Sequence, residues 1–267
     1  MNQLFKNTHA SLIGMVHLKP LPGSHGWGGS MDQVIDGACS DAECLIKNGA
    51  DGLIVENMGD VPYLKGSVYP ETVAAMTLAT KAVVQLGMPT GVQVLAGANR
   101  DALAIAHITG AHFIRVEGFA YAHVADEGWL DACAGELLRT RQNLGSDVQI
   151  WADIQKKHSA HSVTADLSLS DWVHGAEFCG ADGVIITGTR TGRAPDPDVL
   201  SALGHARCLV AIGSGITDEN IHLYADIANA LIVGSSIKEN ADWRRPVCPK
   251  RVRRLRDALD RTVASAV

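Results

Sequence analysis

Three stretches of this chain rhyme: Asn48-Gly-Ala-Asp-Gly-Leu-Ile, Thr109-Gly-Ala-His-Phe-Ile and Cys179-Gly-Ala-Asp-Gly-Val-Ile. In each, a glycine stops a helix and a branched apolar run follows, too short to be helical itself. Such a run, apolar on both faces, has the character of a parallel strand buried on both sides. Spacings of roughly sixty to seventy residues suit an echo between successive pairs of strand–helix units. The pattern predicts strands over residues 11–18, 52–56, 90–95, 112–117, 148–154 and 183–187. Two further runs, Leu209-Val-Ala-Ile-Gly-Ser-Gly-Ile216 and Ala230-Leu-Ile-Val-Gly-Ser-Ser-Ile237, complete a set of eight.

Helices are expected between them. One, capped by Asp32, runs to about residue 48, and one opened by Pro70 runs to 86. Others cover 99–109, about 128–144, 169–179, 197–203 and 218–224, and a basic helix over 248–263 closes the chain. Eight such units without a linker describe an α/β fold, a single (β/α)8 TIM barrel over residues 1–267, and the length matches the roughly 250 residues typical of one. An open doubly wound sheet is the competing architecture, but no Gly-x-Gly-x-x-Gly follows the first strand.

The last two runs end in Gly213-Ser214-Gly215 and Gly234-Ser235-Ser236. Bare N–H groups at βα turns can approach an anion, and the seventh and eighth turns are where a barrel holds phosphate. The competing reading is that these glycines only ease strands into helices. With a formal charge of −6, nothing suggests nucleic acid or an anionic membrane as partner, so an anion site has to be local. No run approaches ~18 apolar residues, and the N-terminal stretch lacks the pattern of a signal peptide. Six scattered cysteines without a Cys-x-x-Cys pair suit a reducing compartment. The expectation is a soluble, cytoplasmic protein with no membrane partner. A homo-oligomer is compatible with the aromatic loops around Trp27, Tyr63, Tyr69, Phe119 and Tyr121.

Barrel chemistry gathers at the C-terminal ends of strands. Reading those ends in order gives His17 and Lys19, Glu56 and Asn57, Gln93, Arg115 and Glu117, Asp153, then Thr187. Period two puts Arg115 and Glu117 on one face of their strand; if that face points inward, Arg115 sits one layer below Glu117, able to pair with it, Glu56 or Asp153, and a structural ion pair is the favoured role for it. Asp153 followed by Lys156, Lys157 and His158 is the densest ionisable cluster. A carboxylate beside lysine and histidine can abstract a proton next to a carbonyl, and a desolvated lysine can instead form a Schiff base. Asp153 or Glu56 is the candidate base, with Lys157 or His158 as acid or electrophile; which lysine enters the site stays open. His17 and Glu117 complete the catalytic candidates. Thr187, Arg190, Asn57 and Gln93 join the turns as substrate-binding candidates, Arg190 from a Gly-rich loop able to close on an anion. The residues name no particular cofactor. A divalent metal on the same mixed N/O donors is an alternative, without a supporting His-x-His or His-Glu-x-x-His spacing.

Gly14-Met-Val-His-Leu-Lys-Pro-Leu-Pro-Gly23, Gly49-Ala-Asp-Gly-Leu-Ile-Val-Glu-Asn57, Ala152-Asp-Ile with Lys157-His158, and Val233-Gly-Ser-Ser-Ile237 resemble the BtpA/SgcQ family over essentially the whole chain. The resemblance implies a TIM barrel. That family takes its name from a protein needed for photosystem I accumulation, and another member is associated with a sugar-metabolism operon. Neither association defines a reaction, and no site residues follow from them. The leading expectation is an enzyme on a small phosphorylated metabolite, a sugar phosphate or ribose ester, working by lyase, isomerase or glycosidic-cleavage chemistry. The alternatives are a non-catalytic assembly or regulatory factor, and a metal-dependent hydrolase or epimerase.

Overall fold

A computed structural model describes residues 4–5, 10–156, 158–188, 195–200, 203 and 206–265. The strands are β1 (Ser11–His17), β2 (Gly52–Glu56), β3 (Thr90–Gln93), β4 (Phe113–Val116), β5 (His123–Ala125), β6 (Gly128–Leu130), β7 (Gln149–Ile154), β8 (Ser159–Ala160), β9 (Gly183–Thr187), β10 (Leu209–Gly213) and β11 (Ala230–Val233). Eight of them close a parallel barrel in the order β1-β11-β10-β9-β7-β4-β3-β2, while β6-β5-β8 form a small antiparallel sheet. The helices are α1 (Met31–Lys47), α2 (Pro70–Val84), α3 (Asn99–Thr109), α4 (Ala134–Asn143), α5 (Leu169–Phe178), α6 (Pro197–Leu200) and α7 (Pro249–Ser265).

Starting at His17 and following partners through Glu56, Gln93, Arg115, Trp151, Gly183 and Leu209, the register returns to β1 eight residues lower. That shear makes alternate strands contribute to common layers. Near the base, Phe113 and Trp151 stack at 4.0 Å, and Phe5 meets both edge-on. Gly91 is required beside them, because a Cβ there would lie 2.3 Å from the Phe113 ring. Above come Ile54, Arg115, Ile185 and Ile232, then Met15, Gln93, Asp153 and Gly213, then Glu56, Glu117, Thr187 and Gly234. The interior therefore changes from aromatic to aliphatic to charged within a few layers, and the charged end is the mouth. A second apolar core packs the outer strand faces against the helices.

Three local expectations are corrected. The first helix is capped by Ser30, whose side chain accepts from the Gln33 N–H, and Asp32 lies inside the first turn instead. The segment expected to be helical from about residue 128 opens as the β5–β6 hairpin, with α4 starting at Ala134. Its Asp126-Glu127 corner leads into Gly128 at φ +105°, a conformation that serves a turn. The helix expected over 218–224 is only a 3-10 turn, Ile221–Leu223. There the Asn220 side chain takes the Thr217 N–H and donates to the Gly215 carbonyl, an Asx-type bracket that competes with helix formation. All six cysteines are free thiols. Among the described residues no helix is long and apolar enough to cross a membrane.

The chain after β11 is tied down by Lys238, which is 1% exposed. Its Nζ donates to Asp41 Oδ2 of α1 at 2.5 Å, and Asp41 Oδ1 accepts from the Val247 N–H. Replacing Lys238 with methionine leaves the Asp41 carboxylate with one backbone donor. The expected loss is about 1–3 kcal/mol of unfolding free energy in a urea titration; an unchanged midpoint would show that this tie contributes nothing.

Candidate active site at the barrel mouth

Glu56, Glu117, Asp153 and Arg115 are all buried in the upper layers. Ions so placed are tolerable only when paired, and the pairing here is specific. Arg115 Nε donates to both Asp153 oxygens at 3.0 and 3.1 Å, with Nη2 3.0 Å from Oδ1. Burial acts to lower the Arg115 pKa, yet Asp153, Glu56 and Glu117 together hold it above the usual guanidinium value. The sequence-level reading of Arg115 as a structural cation agrees with this geometry. His17 Nε2 lies 3.3 Å from Glu56 Oε2.

Glu117 is the unusual member. Its Oε2 accepts from the Gly97 N–H at 2.9 Å, and Lys156 Nζ stands 3.4 Å from the same oxygen. Gln93 Nε2 approaches Oε1 at 3.5 Å. Burial pushes the Glu117 pKa up to about 7, with Lys156 and Arg115 opposing and Asp153 and Glu56 reinforcing the rise. Burial works against the Lys156 ammonium as well, but Glu117 and Glu127 outweigh it and raise its pKa. Lys156 is thus held charged between two carboxylates, 3.4 Å from each.

Lys156 reaches the Glu117 and Glu127 carboxylates; Lys157 lies outside the described residues, as does Arg190. His158 sits exposed on the rim with φ +57°. Asn57 is occupied as a brace: its Oδ1 accepts from the Leu95 N–H at 2.7 Å and its Nδ2 donates to Asp60. Asp60 in turn accepts from the Leu21 N–H, and Gly59 N–H donates to Leu18. The loops after β1 and β2 thereby hold each other, and with them His17 and Glu56. Thr187 Oγ1 and Gln93 Oε1 are buried at the mouth without partners among the described residues.

The hairpin supplies groups that strand-end reading overlooked. Glu127, at its corner, reaches Lys156, and His123 on β5 is 2% exposed. The sequence signal was available: His123-Val-Ala-Asp-Glu-Gly-Trp-Leu130 alternates around an Asp-Glu-Gly corner. Tyr63, between β2 and α2, senses the same carboxylates: its pKa is raised by burial and then by Glu56 and Glu117, and its hydroxyl donates to the Met58 carbonyl. Among the described residues, no group of three or more His, Cys, Asp or Glu is placed to hold a metal ion.

Across the ring stand the two glycine–serine turns. Glu117 and Gly234 belong to one layer on opposite walls, as do Gln93 and Gly213 in the layer beneath. Gly234 faces the mouth, since a Cβ there would sit 3.2 Å from His17 Cε1. Ser214 and Gly215 both adopt positive φ, +70° and +68°. The N–H groups of Ser214, Gly215, Gly234, Ser235 and Ser236 donate to no acceptor among the described residues, and all five residues are half-buried. Behind the turns a cavity of about 390 Å³ is lined by Asp218, Glu219, Arg251 and Arg254 among others. Its charges balance, with Arg254 Nη2 2.5 Å from Asp218 Oδ2, so the unclaimed donors lie in the turns themselves.

Residues 8–261 match the BtpA family. An uncharacterized mitochondrial protein of Caenorhabditis elegans is 42% identical over 260 residues, covering 94% of each chain. The photosystem I biogenesis protein BtpA of Synechocystis is 39% identical, over 94% of this chain and 88% of its own. An uncharacterized protein of Pyrococcus furiosus is 37% identical, over 91% and 92%. Among solved structures, a Xanthomonas albilineans dihydropteroate synthase with 4-aminobenzoic acid superposes with a TM-score of 0.60 at 16% identity, over 99% and 95% of the two chains. Phosphoribosyl anthranilate isomerase from Thermus thermophilus gives 0.54 at 14%, over 96% and 100%. At such identities these structures speak for the barrel alone.

Proposed function

This chain belongs to the BtpA family, and we propose that it is an acid–base enzyme, a lyase or isomerase, acting beside the carbonyl of a small phosphorylated metabolite. The observation that carries the reading is Glu117: a buried carboxylate poised near pH 7, touching a charged lysine and facing unclaimed N–H donors across the mouth. A general base works best with its pKa near the operating pH. In its ionised form Glu117 takes the proton from the carbon next to the carbonyl. The C–H electron pair becomes a carbon–carbon double bond and the carbonyl π pair moves to oxygen, where the Lys156 ammonium offsets the charge. For a substrate with a hydroxyl on that first carbon, passing the hydroxyl proton to the former carbonyl oxygen and returning the abstracted proton to the former carbonyl carbon moves the carbonyl over by one carbon and completes an isomerisation with no net redox change. Because Glu117 and Glu127 keep Lys156 protonated, the electrophile role suits it better than attack as a free amine. The phosphate would rest on the Gly213–Gly215 and Gly234–Ser236 turns, with the His17–Glu56 pair beside it.

Thermal unfolding with a panel of phosphorylated sugars and nucleotides tests this. A ligand present at a hundred times its Kd stabilises by about 2.7 kcal/mol, roughly 5–10 °C in Tm for a chain of this size. No stabilisation by any member at millimolar concentration would remove the reading. A second reading, a non-catalytic assembly factor, is favoured by the Val124–Trp129 pair exposed on the outer face of the hairpin and by the name of the Synechocystis relative. Under it, Glu56→Gln and Asp153→Asn should leave a deletion strain fully complemented; under the enzyme reading they should not.

A further inference from the structure

Alternation along β5 sends Val124 outward, 41% exposed, and His123 and Ala125 inward. Glu127 continues the inward face and stands 3.4 Å from Lys156, so His123 shares the surface that meets the mouth. Its ring lies over Gly118, next to Glu117, where an added Cβ would sit 3.6 Å from His123 Cε1. His161 packs 5.6 Å away, ring to ring, and its own Nε2 is occupied at the Lys156 carbonyl, 3.0 Å. His123 Nε2 is buried and has no hydrogen-bond partner among the described residues. Such an atom is costly to leave unmet, and a bound molecule can supply what the chain does not. Burial first, then Lys156 and His161, lower the His123 pKa to about 4. The ring is therefore neutral at pH 7, with one nitrogen donating and the other accepting.

We propose that His123 contacts the bound molecule, donating an Nε2–H hydrogen bond to its carbonyl oxygen, so that the ligand class is a phosphorylated aldehyde or ketone. This rests on the acid–base reading above and adds a second donor to the oxygen that Lys156 serves. A neutral imidazole suits that place, because it strengthens its hydrogen bond as charge develops on the oxygen without adding a cation beside Lys156.

Calorimetric titration with inorganic phosphate and with phosphoglycolohydroxamate, which carries both a phosphate and an enediolate-like group, tests it. The expected result is that the unsubstituted protein binds the hydroxamate at least tenfold more tightly than phosphate. His123→Ala should lose about tenfold for the hydroxamate and nothing for phosphate, and His123→Gln should keep part of the margin. Hydroxamate binding by His123→Ala equal to that of the unsubstituted protein overturns the proposal, as does a hydroxamate bound no better than phosphate. A protein that binds neither probe fails the function reading and this proposal together. Nitrogen-15 spectra of the free protein give a ligand-independent check: a charged His123 ring at pH 6, or a neutral one protonated on Nδ1, overturns the proposal.

Discussion

Arg115→Met is expected to lower the unfolding free energy by about 3–5 kcal/mol at pH 7, the usual cost of removing one partner from a buried pair. Arg115 is 8% exposed, and the Asp153 carboxylate it grips is 6% exposed. Glu56 and Glu117 also act on the guanidinium, so its loss leaves three buried carboxylates in the two upper layers with less compensation. The apolar layer below them, Ile54, Ile185 and Ile232, offers no donor in exchange. Replacing both partners, Arg115→Met with Asp153→Leu, removes the stranded charge and should recover part of the deficit. Recovery stays partial because the guanidinium that also acted on Glu56 and Glu117 is still missing. Urea titrations of the three variants form the test, with unchanged m-values confirming a comparable unfolded state. A single-variant deficit below about 1 kcal/mol would mean that the mouth tolerates its acids by another route.

The parts legible in the sequence are those fixed by local chemistry. Gly52–Glu56, Asn99–Thr109 and Gly183–Thr187 fall where the apolar runs and their bounding glycines put them. Alternation along a strand is rigid, so Arg115 and Glu117, like Trp151 and Asp153, could be set on one face together before any coordinates, and Glu56 and Gln93 at the strand ends. That rigidity ends with the strand. Past β7 the backbone turns through Gln155 at φ +50° and His158 at φ +57°, and period two no longer decides between Lys156 and Lys157. The carboxylate that holds Lys156 comes from a hairpin 29 residues earlier, a tertiary contact with no spacing signature. The same limit applies to Asn57, whose side chain works on the Leu95 backbone 38 residues away. Strand ends were readable, and the loops that decide which polar groups meet were not.

Glu117→Gln separates the chemistry from the fold most sharply. If Glu117 moves the proton, the variant should lose about 10²–10⁴-fold in rate, read as solvent-deuterium incorporation into whichever phosphorylated compound stabilises the protein. Stability should move in its own direction with pH. The folded Glu117 titrates near 7, against an ordinary 4.5. Its contribution to stability is full below about 4.5 and is lost as pH rises through 7, by about 3 kcal/mol if the whole shift counts. His123 has the opposite sign, since its folded value is about 4 against 6.5. Its contribution is full above 6.5 and is lost as pH falls toward 4. Between pH 4.5 and 6.5 the two slopes oppose each other in the unsubstituted protein, and in Glu117→Gln only the His123 slope remains. The variant should therefore lose stability on acidification from pH 6.5 to 4.5, where the parent stays nearly level, and should gain on the parent from pH 5 to pH 8. Parallel curves for the two proteins would mean that Glu117 is ionised throughout, and a carboxylate already ionised at pH 5 is not a base poised for work at neutrality.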